Sequence, residues 1–112
     1  MVLDPFTWVV LISVALTATV FWDDIKKWAN KAYKSLLRGI DRAVTIVSDA
    51  IIYLYEEGGK IYERIEVFLE NTYNEITTRN TKSNRIPSSN VPSEFRNKVK
   101  GGKELALMKI ST

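Results

Sequence analysis

The sequence predicts an all-α chain: one N-terminal transmembrane helix, then a long amphipathic helix or helical hairpin, then a mostly irregular basic tail. Three observations point there. Residues 5 to 22, PFTWVVLISVALTATVFW, carry no charge and are bounded by Asp4 on one side and Asp23-Asp24 on the other. From Ile25 apolar residues recur every three or four positions for about fifty residues, which is helical periodicity. Beyond Ile76 the chain becomes rich in Thr, Ser, Asn and Pro and then in lysine. The domain division that follows is a membrane anchor over 1–22, a coiled-coil-like helical region over 23–78 with a break at 58–59, and a polar linker with a basic tail over 79–112.

A helix over the first stretch is roughly 27 Å long, close to the hydrocarbon thickness of a bilayer. Phe6, Val9, Val10, Leu11, Ile12, Val14, Leu16, Val20 and Phe21 each favour insertion by roughly 0.3 to 0.6 kcal/mol, with no charged residue opposing them. Asp4 suits an N-cap and Pro5 the first helical position. A signal peptide would need positive charge before the apolar run, and none precedes Pro5. A buried helix of a soluble bundle would keep a polar stripe, where this stretch has only Thr7, Ser13, Thr17 and Thr19. Trp8 and Trp22 lie about 21 Å apart along such a helix, so both indoles reach an interface. Together with Lys26, Lys27, Trp28 and Lys31 they form the expected membrane-interface set. No Lys or Arg precedes the span, whereas Lys26, Lys27, Lys31, Lys34, Arg38 and Arg42 follow it. The positive-inside tendency therefore puts the short N-terminus outside and the C-terminal region in the cytoplasm.

Behind the anchor, Ile40, Ala43, Val47, Ala50, Leu54, Ile61, Ile65 and Phe68 approximate a heptad seam, the signature of a helix packed lengthwise on another. The stretch AVTIVSDAIIYLY, Ala43 to Tyr55, is too short to be a second span, and Asp49 within it is an expensive carboxylate if surrounded by apolar groups. Gly58 and Gly59 interrupt the pattern as a hinge or turn, since each costs about 1 kcal/mol inside a helix. A turn there folds helices 25–57 and 60–78 into a hairpin. A continuous helix would instead be a rod of about 110 Å. Charge runs in blocks of basic, acidic and basic residues, an order able to set the stagger between copies. Thr77 to Asn97 reads as an extended or disordered linker. The end, KVKGGKELALMKIST, suits a short helix or strand that docks on a partner or on the acidic arm over 56–75.

The chain holds no Cys and no His. That removes disulfides, thiolate and imidazole metal ligands, and the commonest general base. Neither glycine pair has a phosphate-loop ending. Glu63, Glu66 and Glu70 would share a helix face at i, i+3 and i+7 but lack the His partners of a di-metal site. The expectation is a non-enzymatic protein without cofactor or metal, with no nucleic-acid partner. Its partners are the lipid bilayer and either itself, as a homo-oligomer, or the subunits of a membrane complex, in which it is a scaffold, structural or accessory component. The alternative is a small holin-like effector that oligomerises and permeabilises the bilayer, with Ser13/Thr17 and Ala15/Thr19 permitting close packing of spans.

Overall fold

The computed structural model describes residues 8–11 and 19–110. Its elements run β1 (Trp8–Val10), α1 (Thr19–Arg38), β2 (Thr45–Glu57), β3 (Lys60–Asn71), β4 (Thr77–Ile86), a 3-10 turn at Ser88–Asn90, α2 (Ser93–Val99) and β5 (Glu104–Ile110). All strand pairs are antiparallel, and the sheet order is β1-β5-β2-β3-β4. The chain is thus an antiparallel sheet with helices, not all-α, and the expected coiled coil is absent from the described residues.

The central hairpin is built by β-branched and aromatic residues on a pleated, half-buried surface. In β2 the buried residues Ala50, Ile52 and Leu54 alternate with half-buried Ile51, Tyr53 and Tyr55, and β3 continues the rule with Ile61, Ile65, Val67 and Leu69 facing inward. Gly58 and Gly59 join the strands with φ of 59° and 76°. Both lie in the left-handed region that a two-residue type I′ hairpin turn demands, and glycine supplies it without a Cβ clash. The chain reverses at the glycine pair, as a turn there requires, but its arms are strands. A bulge at Ser48 breaks the register between Val47 and Asp49. This leaves Asp49 on the outward face, where Oδ1 accepts from the Ala50 amide at 2.9 Å and Oδ2 lies 3.5 Å from Lys109 Nζ.

Both helices pack on one face of the sheet. Phe21, Trp22, Ile25, Ala29, Ala32 and Tyr33 of α1 recur at the spacing of a single helical stripe and join Phe95 and Val99 of α2 in one core with the inward residues of β2, β3 and β5. Phe21, Trp22 and Phe95 form an aromatic cluster with ring centroids 5.4 to 5.8 Å apart.

The uncharged N-terminal run is divided rather than continuous. Trp8–Val10 is a strand paired with Met108–Ile110, whereas Val20, Phe21 and Trp22 belong to the first turn of α1. Of the expected span's other residues, Leu11 follows β1 and Thr19 opens α1, while 5–7 and 12–18, with Ser13, Ala15 and Thr17 among them, lie outside the described residues. No helix among the described residues is long and apolar enough to cross a membrane. The single-pass membrane location and the inside-outside orientation are corrected accordingly. Trp8 and Trp22 are each 8% exposed within the protein core instead of at a lipid boundary. The Trp8 indole donates to Asn30 Oδ1 at 2.8 Å and meets the Tyr33 ring edge-on.

The expected linker is also ordered. Residues 77–86 form the edge strand β4, polar on both faces, and 93–99 form α2. The tail supplies β5, which fills the gap between β1 and β2 with Leu107, Met108 and Ile110 buried.

Candidate functional site

The face of the sheet away from the helices carries side chains from alternate positions. Register places Tyr53 of β2 opposite Arg64 of β3 and Tyr55 opposite Tyr62. Next to them on the same face come Glu66 and Phe68 of β3, Arg79 and Thr81 of β4, and Glu104 of β5. A groove of about 480 Å³ there is lined by strand residues alone: Tyr53, Arg64, Glu66, Arg79, Thr81 and Glu104.

Aromatic rings occupy the centre of this face. The Tyr55 and Tyr62 rings stack at 5.3 Å with 17° between planes. The Arg64 guanidinium lies over the rings of Tyr53 at 5.2 Å and Tyr55 at 5.0 Å, a cation–π arrangement. From there a chain of ion pairs crosses the sheet diagonally. Glu104 Oε1 accepts from Arg64 Nη2 at 2.7 Å, Arg64 Nη2 lies 3.1 Å from Glu66 Oε1, and Glu66 Oε1 accepts from Arg79 Nη1 at 3.3 Å. Its signs read minus, plus, minus, plus from β5 to β4. Of the inner members Glu66 is buried and Arg64 half-buried, with side-chain exposures of 7% and 18%, while the outer members Glu104 and Arg79 stand at 50% and 60%. Burial works against the charge of Arg64, but the hydrogen bond and charge of Glu104, with the charge of Glu66, outweigh it and raise the guanidinium pKa further. Burial and the neighbouring Glu66 and Glu104 carboxylates push the Tyr53 hydroxyl above its ordinary value.

A second concave site lies between α1 and the β3–β4 pair. It is a cavity of about 220 Å³ lined by Phe21, Asp24, Ile25 and Trp28 of α1, Glu63 of β3, and Asn84, Arg85, Ile86, Pro87 and Asn90. Strand alternation turns Glu63 inward, opposite Leu54 and Asn84, where it is 4% exposed. Asn84 Nδ2 donates to Glu63 Oε1 at 3.0 Å. Burial pushes the Glu63 carboxyl up to about 7, the Asp24 charge adds to the rise, and the Asn84 hydrogen bond opposes it.

No family model, curated protein or solved structure matches this chain.

The residues singled out in the sequence are distributed differently from a helical seam. Ala50, Leu54, Ile61 and Ile65 are buried on the helix-covered face and Val47 is half-buried there, but Phe68 belongs to the opposite face. Ile40 packs on the core just after α1, and Ala43 is exposed in the following turn. Trp28 lines the Glu63 cavity, Lys26 is half-buried on α1, and Lys27 and Lys31 are exposed. Glu63 and Glu66 point to opposite faces, with Glu70 on the Glu66 side, so the three carboxylates do not converge. Among the described residues no three acidic side chains gather as a metal set requires. Tyr53, Arg64, Arg79 and Glu104 are not grouped by a helical reading of the sequence. The period-two alternation of Tyr53 with Tyr55, and of Tyr62, Arg64, Glu66 and Phe68, is the signal that groups them.

Proposed function

We propose that the chain is a non-catalytic association module that pairs face to face with a second copy of itself through the open face of its sheet. The observation that carries this is the order of charge along the Glu104–Arg64–Glu66–Arg79 diagonal. A two-fold axis between Arg64 and Glu66 reverses the order in the partner, so every charge meets its opposite. Isologous interfaces have this self-complementarity. Tyrosine and arginine, which dominate the centre of the face, are the residues enriched at binding hot spots. With β3 at 12 residues, about 40 Å long, and four strands about 15 Å across, the face offers about 600 Å² per copy. A pair then buries about 1,200 Å², the lower bound of standard interfaces.

Charge favours a protein partner over nucleic acid. Arg64, Arg79 and Lys109 on this face are each paired with a carboxylate, and the charge of Arg85, opposite Tyr62, is offset by that of Glu70, leaving no excess of positive charge to displace counterions from phosphates. The permeabilising alternative needs residues 25–55 as a membrane-entering helix, and that stretch is divided between α1 and β2, with Ile25, Ala29, Ala32, Ala50, Ile52 and Leu54 in the core.

Sedimentation of the full chain tests the proposal through its symmetry. Wild type self-associates in a concentration-dependent manner, and Arg79→Glu alone or Glu104→Arg alone is monomeric because each places like charges opposite one another. An equimolar mixture of the two variants restores dimers, since both outer pairs are again complementary. A wild-type chain that stays monomeric, or single variants that associate as wild type does, would overturn it.

A further inference from the structure

We propose that the cavity between α1 and the β3–β4 pair is a binding site for a small organic ammonium ion, held by Glu63 and Asp24 between the aromatic walls of Phe21 and Trp28. The inference stands on the geometry. Glu63 sits in the cavity wall at 4% exposure with one hydrogen-bond donor, Asn84, to a single carboxyl oxygen. A buried carboxylate is stable only when paired or supplied with several donors. Its neighbour in sequence, Arg64, is committed to Glu104 and Glu66 on the other face of the sheet.

The residues with ionisable side chains lining the cavity are Asp24 from α1, Glu63 from β3 and Arg85 from β4, and strand alternation places the Arg85 side chain on the opposite face with Tyr62. Two carboxyls and two rings suit a monocation, whose charge pairs with the carboxylates and whose attached hydrogens lie against the ring faces. Two carboxyls fall short of the oxygen set a hard metal ion takes, which directs the assignment to an amine. The volume of about 220 Å³ restricts the ligand to a few heavy atoms. A Glu63 carboxyl raised to about 7 is what such a site has before the cation enters, and the cation's arrival lowers it.

Titration of the full chain with n-propylammonium chloride at pH 7.5, followed by heteronuclear NMR, tests this. Saturable shifts are expected at the Trp28 indole and the Asn84 side-chain amide. Uncharged 1-propanol produces none. Glu63→Gln keeps the shape of the side chain and weakens binding about tenfold or more, because the ammonium loses its buried partner. Asp24→Asn, at an exposed position that leaves the core untouched, weakens it several-fold. The proposal is overturned if n-propylammonium does not saturate, if 1-propanol binds equally well, if shifts centre elsewhere, or if Glu63→Gln and Asp24→Asn both retain wild-type affinity.

Discussion

Replacing Glu63 by glutamine changes how the fold responds to pH, and the size of the change follows from the site. The carboxyl is moved from 4.5 to about 7, chiefly by burial. At about 1.4 kcal/mol for each tenfold change in proton affinity, that difference corresponds to about 3 kcal/mol. Below pH 4.5 the group is protonated in both the folded and unfolded chain, and its contribution to stability is fully present. Between 4.5 and 7 the unfolded chain ionises while the folded one keeps its proton, so stability falls as pH rises through this window. A glutamine amide at this position has no proton to lose and stays neutral throughout. Urea unfolding at pH 4.5 and pH 8 should therefore show wild type losing about 3 kcal/mol relative to Glu63→Gln, equivalent to a melting-point difference on the order of 10–20 °C at pH 8. Parallel pH profiles for the two proteins would refute the reasoning, as would a carboxyl-carbon titration placing Glu63 near its ordinary 4.5.

Two further outcomes test the packing and the turn. Phe95→Ala removes a ring that is 1% exposed and in contact with both Phe21 and Trp22, so denaturation should show a loss of about 3 to 5 kcal/mol. Gly59→Ala puts a Cβ on a residue at φ 76° and should cost about 1 kcal/mol, whereas Gly58→Asn, at φ 59° where asparagine is tolerated, should be nearly neutral in the same assay.

Part of this organisation is legible in the sequence, and the departures have physical causes. The chain reversal at Gly58-Gly59 is readable because two glycines disfavour any continuous element. The nature of its arms is obscured because Ala43, Val47, Ala50 and Leu54 fit a three-four spacing. Ala50, Ile52 and Leu54 also fit a spacing of two, and the β-branched and aromatic content of 44–55 favours the latter. An uncharged run looks the same to a hydropathy count whether one helix or two elements contain it. Trp8 and Trp22 finish in different elements of one core. The edge strand β4 is hidden by its composition: TTRNTKSNRI buries almost nothing and owes its order to hydrogen bonding along β3. Polar edges of this kind also discourage strand-to-strand aggregation. The ion-pair diagonal joins the consecutive strands β3 and β4 to β5, and 40 residues separate Arg64 from Glu104, so no local pattern brings Glu104 to Arg64.

Isotope-filtered NOE spectroscopy on a mixture of labelled and unlabelled full chains tests the copy-to-copy pairing most directly. Contacts between copies should arise from the ring protons of Tyr53, Tyr62 and Phe68 and vanish in Arg79→Glu. Contacts arising instead from the helix-covered side, or none at concentrations where sedimentation detects a dimer, would contradict it.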